Sequence, residues 1–195
     1  MTRMAKVSVS LARGVSNDFC PQAMYLYGTY KENGAPNFGL FNWFSYCWDG
    51  DLRVMMCIGG EKLTKDRIHA AKVFSASILT EAMLPAADYM GNNEGYSVDK
   101  SSVIESIRGQ VLNVPIPVGS PKSYELEVER SVPMDDGEVF ICKIRNVLVD
   151  ERLADDTIPY EERMRLTAPV LTTPGNYFSL NPVPIGQWGQ WKDKK

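Results

Sequence analysis

Two stretches of this chain carry side chains suited to holding a ligand. The first is Asn37-Phe38-Gly39-Leu40-Phe41-Asn42-Trp43-Phe44-Ser45-Tyr46, which is apolar or aromatic on both faces of an extended segment. Such a strand is either central and buried on both sides, partly at a subunit interface, or one whose backbone N–H and C=O groups meet a flat heteroaromatic ring. Gly39 would allow the close approach that the second reading needs. The other stretch, Gly59-Gly60-Glu61-Lys62-Leu63-Thr64, opens a predicted helix. Unpaired amides and a partial positive charge at a helix start suit a phosphate, to which Lys62 adds a full charge and Thr64 a hydroxyl. The same residues also read as an ordinary capped helix. Their spacing departs from a P-loop, so a nucleoside triphosphate is not indicated. Lys100, in Ser97-Val98-Asp99-Lys100, taken alone reads as a solvated surface lysine.

The rest of the composition narrows the chemistry. A single histidine, His69, lies in an unremarkable helical stretch, which leaves no multi-histidine metal site and no Ser-His-Asp triad. The four cysteines, Cys20, Cys47, Cys57 and Cys142, form no C-x-x-C pair. Cys47, Cys57 and Cys142 fall in apolar strand-like runs, where buried free thiols are expected, and this points to a reducing cytoplasm. With 195 residues, 44% hydrophobic and 23% charged, the chain reads as one globular domain able to bury a core without staples. A net charge of −3 with dispersed cations argues against a nucleic-acid partner. No apolar run is long enough to span a membrane, and the opening MTRMAKVSVSLARGVSND lacks the apolar block of a secretion signal.

Strands dominate the elements that must position these residues. The runs 23–30 and 37–46 flank Asn33-Gly34, a strong hairpin signal, and a third strand covers 51–58. Thr64 is the expected N-cap of a helix over Lys65–Lys72, followed by a strand over 73–79. Residues 81–91 have a helical pattern in which Pro85 suits the first turn, 92–96 form a loop, and Asp99–Ile107 reads as a short helix. Residues 109–121 are proline-rich and extended. Tyr124, Leu126 and Val128 alternate with Glu125, Glu127 and Glu129 as a strand with one wet face. A long strand over 137–150 follows the turn at Asp135-Asp136-Gly137, and 160–166 form a helical turn. About six antiparallel strands with two or three short helices between them make a mostly β chain of Greek-key barrel type.

Taken in chain order, these residues resemble the flavin reductase-like family, in particular its flavoredoxin branch. The likeness runs through Cys20-Pro21-Gln22, then Gly34-Ala35-Pro36-Asn37 with Trp43 six positions on, then Lys62-Leu63-Thr64, Ala86-Ala87-Asp88-Tyr89 and Val98-Asp99-Lys100. It covers roughly residues 20–180 and rests on the order of short motifs, none diagnostic alone. The resemblance implies an FMN-binding split β-barrel, a single domain over 1–195 with an arm at 1–20 and a tail from 172, working as a homodimer. Asn37 and Trp43 would lie beside the isoalloxazine ring, with the backbone of Leu40, Phe41, Asn42 and Trp43 at its polar edge. Lys62 and Thr64 would hold the phosphate, Lys100 would reach the phosphate or ribityl chain, and Tyr177 or Phe178 would cover the ring.

The implied activity is that of an FMN-dependent oxidoreductase taking hydride from NAD(P)H and passing electrons to a flavin, a small acceptor or a redox partner protein. The alternative is a flavoredoxin-type electron carrier without its own NAD(P)H site. Either role leaves the chemistry on the flavin, so no catalytic side chain is expected. Two departures touch the pocket. Asp135-Asp136-Gly137 stands where the branch often places a histidine, and Phe41-Asn42 replaces small residues before the tryptophan.

Overall fold

The computed structural model of the chain describes residues 7–8, 21–173 and 175–191. Cys20, nearly all of the expected N-terminal arm and the terminal lysines lie outside the described residues. Asn33-Gly34 turns the chain as its residue types require. Gly34 adopts φ 81°, a left-handed value that glycine takes without steric cost, and its N–H bonds to the Lys31 carbonyl at 3.0 Å. This hairpin joins β2 (Tyr25–Tyr30) to β3 (Pro36–Phe41).

Seven strands form one antiparallel sheet in the spatial order β3, β2, β6 (Val73–Ile78), β9 (Lys122–Met134), β10 (Gly137–Val149), β5 (Leu52–Gly59) and β4 (Phe44–Trp48). Along β5 the side chains of Val54, Met56 and Ile58 are buried while their neighbours point outward, the period-two pattern of a sheet with one covered face. The sheet coils until its ends meet. Tyr27 from β2 shares a core with Val54 and Met56 from β5, and Tyr25 of β2 stacks on Phe44 of β4 with ring centroids 4.3 Å apart. The two edge strands, β3 and β4, are consecutive in the chain, so Asn42-Trp43 bridges the gap that no ladder closes. The molecule is therefore mostly β, an antiparallel barrel split along one seam.

Smaller pieces cover the barrel. Helix α1 (Leu63–Ala71) places Ile68 in the interior core. Helix α2 (Leu84–Asn92), with Pro85 in its first turn, packs Ala87 and Met90 over Leu26 and Phe38 in a second apolar cluster. Helix α3 covers Tyr160–Thr167. Strand β1 (Gln22–Ala23) pairs with β11 (Val170–Thr173), which pairs with β12 (Asn176–Ser179); β7 (Ser106–Arg108) and β8 (Pro115–Pro117) form a two-stranded ribbon. No helix among the described residues is long and apolar enough to cross a membrane.

Four expectations are corrected. The run 37–46 is not one strand but two, broken at Asn42-Trp43, because its halves belong to opposite edges of the sheet. Asp99–Ile107 is not a helix: its start is a series of turns and its end enters β7. Glu125 is not on a wet face but fully buried, since β9 is covered on that side by the loop before β8. Of the three thiols expected to be buried, Cys142 is, with burial pushing its pKa up to about 12, whereas Cys47 and Cys57 are only partly covered.

Candidate functional site

The site begins where β3 meets the start of α1. Asn37, Gly39 and Phe41 share the face of β3 that looks into the barrel, opposite Thr29, Tyr27 and Tyr25 of β2. Asn37 is 1% exposed, and its Nδ2 donates to Thr29 Oγ1 at 3.2 Å and to Thr64 Oγ1 at 3.1 Å. These bonds tie the strand to the helix start. Thr64 is therefore not the N-cap: Lys62 occupies that position with extended backbone and no side-chain cap, and the helix runs from Leu63. The amides of Leu63, Thr64 and Lys65 are left without intrahelical acceptors.

A narrow niche of about 40 Å³ opens here, walled by Asn37, Leu40, Phe41, Lys62, Thr64, Lys100 and the Asn93–Gly95 turn. Gly95 brings that turn close, for a Cβ at this position would sit 3.1 Å from Asn37 Oδ1 and from Leu63. Lys62 Nζ pairs with Glu94 Oε1 at 2.8 Å, and that hydrogen bond and charge hold the Glu94 carboxyl below its ordinary range.

Lys100 is not the solvated lysine its local sequence suggests. It is 5% exposed, and Nζ donates to the carbonyls of Met90 at 2.7 Å and Asn93 at 2.8 Å. Burial lowers its pKa, opposed by the nearby Glu94 charge. An ammonium has three donors, so one N–H of Lys100 remains for the niche.

Trp43 does not line the niche. It walls an adjoining cleft of about 500 Å³ with Asn42, Asp88, Asn92, Thr172, Asn176 and Tyr177. The same two chain segments bound both spaces: Leu40-Phe41 and Gly91 face the niche, while Asn42-Trp43 and Asn92 face the cleft. Niche and cleft thus adjoin across these two segments without sharing a lining residue. Of the two C-terminal aromatics, Tyr177 lines this cleft. Phe178 does not reach this cleft and lines a separate hollow with Leu84, Pro169 and Leu180, which Tyr177 also borders.

Residues without a role in the sequence reading also line these spaces: Asp88, which accepts from the Tyr177 hydroxyl at 2.5 Å, and Asn92 in the cleft, and Glu94 in the niche. Asp88 stands inside a quoted motif, but its partner is 89 positions away, so spacing carried no signal. His69, read as unremarkable, pairs through Nε2 with Glu138 Oε2 at 2.7 Å on the far side of α1.

A split barrel with a cationic niche beside an aromatic-walled cleft is suited to a small ligand that carries an anionic group. The chain belongs to the flavin reductase like domain family, which it matches over residues 17–180. No curated protein is similar enough in sequence to count as a match.

Among solved structures it is similar to flavoredoxin from Methanosarcina acetivorans, with 19% identity, a TM-score of 0.83, and coverage of 97% of this chain and 98% of that one. Flavoredoxin of Desulfovibrio vulgaris (Miyazaki F) is similar at 23% identity and TM-score 0.79, covering 94% and 99%. An FMN-binding protein from Thermus thermophilus is similar at 21% identity and TM-score 0.76, covering 95% and 99%.

Proposed function

We propose that this chain is an FMN-dependent oxidoreductase that accepts hydride from NAD(P)H and delivers electrons to a flavin, a small molecule or a partner protein. The observation that carries this reading is the cationic niche at the start of α1, with the Trp43 cleft bordered by the next residues of the same two chain segments. The donor set fits the phosphate of FMN: uncapped α1 amides, the Thr64 hydroxyl, Lys62 and the remaining N–H of Lys100 border one narrow niche. Glu94 holds Lys62 in place as its counter-ion.

Asn37 fixes Thr64, while the backbone from Leu40 to Trp43 would lie along the polar edge of the ring and Tyr177 would wall its outer side. When bound, FMN supplies hydride acceptance and electron release. The protein binds, orients and sets the polarity around it. A homodimer in the cytoplasm completes this reading, which draws support from the family and from the exposed Met55 on the outer face of β5.

A second reading, a flavoredoxin-type carrier served by a separate reductase, is favoured by one observation. No described lysine, arginine or histidine lines the Trp43 cleft to meet the phosphates of a pyridine dinucleotide.

Two measurements test these readings. Lys62→Ala with Thr64→Ala should weaken FMN about 10-fold or more while leaving riboflavin nearly unchanged, because only FMN carries the phosphate. An equal loss for both ligands would remove the niche from the flavin site. Anaerobic addition of NADH or NADPH to the FMN-loaded protein should bleach the absorbance near ~450 nm at catalytic rates. An unchanged spectrum would favour the carrier.

A further inference from the structure

The C-terminal tail carries an ordered apolar tip that no described residue covers. From Leu180 to Ile185 the chain runs without regular structure, through Pro182 and Pro184. It then closes a turn. The Gln187 amide donates to Gln190 Oε1 at 2.9 Å, the Gln190 amide donates to the Gln187 carbonyl at 3.1 Å, and Gly189 takes φ 80°. The Trp191 ring packs directly on Gly186. This turn holds Trp188 outward with its ring fully exposed, and Ile185 before it is 97% exposed. A wholly hydrated indole on an ordered turn is unfavourable in a lone chain, and tryptophan is among the commonest anchors of protein interfaces.

The outward face of β5 carries a matching hollow of about 240 Å³, lined among others by Gln22, Phe44, Met55, Cys57 and Val139. No charged side chain lines it among the described residues. Gln22 Oε1 is a buried acceptor that lacks a donor there. An indole N–H is a donor with no acceptor of its own, and the Met55 sulfur suits an aromatic neighbour. Two residues beyond the Cys57–Val139 pair the ladder ends at Gly59 and Gly137, where Asp135-Asp136 form the turn. The sequence after Trp191 is Lys192-Asp193-Lys194-Lys195, of opposite sign.

We propose that Trp188 of the partner subunit fills this hollow, so that two copies of the chain exchange their tails. The proposal rests on the homodimer reading above and adds which segment crosses and where it lands. The chain's own tail is poorly placed for the same role. In the ladder Gln22 stands opposite Thr172, which faces Tyr177, and Ser179 faces Val170, so β12 leads away from Gln22. The prolines then extend that direction at about 3.1 Å per residue and resist a reversal.

A photoreactive ketone in place of the indole, Trp188→p-benzoylphenylalanine, tests the landing site in the full chain. Illumination of an equal mixture of isotope-labelled and unlabelled chains should give covalent pairs joined at Met55 or Met56, with mixed-isotope pairs among them. Trp188→Ala should weaken the dimer about tenfold or more in sedimentation equilibrium. The urea midpoint of the dilute monomer should not move, because the ring touches nothing in the single chain.

A dimer of unchanged affinity in Trp188→Ala would overturn the tail exchange and leave the homodimer standing. Cross-links confined to one chain, or made to the hollow of Leu84 and Phe178, would do the same. A monomer for the unaltered chain at micromolar concentration would sink the homodimer reading and this proposal with it.

Discussion

The Glu125 carboxylate is fully buried in β9, where it accepts hydrogen bonds from the amides of Gln110 at 2.9 Å and Val111 at 3.0 Å, from Leu112, and from Asn146 Nδ2 at 2.8 Å. Burial raises its pKa, but these donors together outweigh burial and the net direction is downward. Its folded pKa therefore lies below the unfolded value of about 4.3, so its stabilisation is fully present above that pH and is lost as pH falls through the folded value. Glu125→Gln should cost about 2–4 kcal/mol at neutral pH, because an amide cannot satisfy all four donors with the strength of a charge. Urea melts at pH 7 and pH 3 check this, and the gap between variant and parent should shrink at the lower pH.

Nothing local distinguishes Glu125 from the neighbouring Glu127 in an alternating run. What distinguishes it is the loop folded over β9 from residues 109–114. The same holds at Lys100, whose burial comes from carbonyls of Met90 and Asn93 across a turn.

Among the elements, the contact between β2 and β8 is a tight constraint on the sheet. A Cβ at Gly28 would lie 2.5 Å from the Pro115 carbonyl oxygen, 2.5 Å from Ser75 Oγ and 2.7 Å from the Phe38 ring. The first of these is backbone that Ser75 already holds by a hydrogen bond, so it has little room to give. Gly28→Ala should destabilise the protein by about 2–4 kcal/mol through overpacking, read as a lower urea midpoint with an unchanged slope. Unchanged stability would mean that β8 moves freely over β6.

Most elements were legible in the sequence: the Asn33-Gly34 hairpin, the strand over 51–58, the proline-started α2 and the long β10 follow from turn chemistry and period. The break at Asn42-Trp43 was not, because a lone Asn42 among aromatics is a weak turn signal and the run looks continuous until the sheet curls and assigns its halves to different edges.

At the scale of the molecule, the outer face of the barrel keeps an apolar patch beside the ion pairs that Arg53 and Lys143 make with Glu129. Met55 is 40% exposed and Val132 52%, and a hollow lined by Met55, Trp43 and Val139 holds Gln22, whose Oε1 has no donor among the described residues. A second copy of the chain would cover this face, as the proposed homodimer requires. Light scattering at micromolar concentration should give twice the 21.9 kDa chain mass, and Met55→Glu should shift it toward the monomer by burying an unpaired charge. A monomer for the unaltered chain would end the dimer proposal.

From the sequence alone came the strand-rich class, the cationic start of α1, the aromatic run beside it and the order of motifs that marks the family, because each depends on residue types within a few positions of one another. Tertiary structure alone decided that Asn37 would grip Thr64, that Tyr177 rather than Phe178 would meet Trp43, and that Asp88 would be the charge beside them. Those outcomes depend on how a coiled sheet brings distant segments together, and no local pattern encodes that distance.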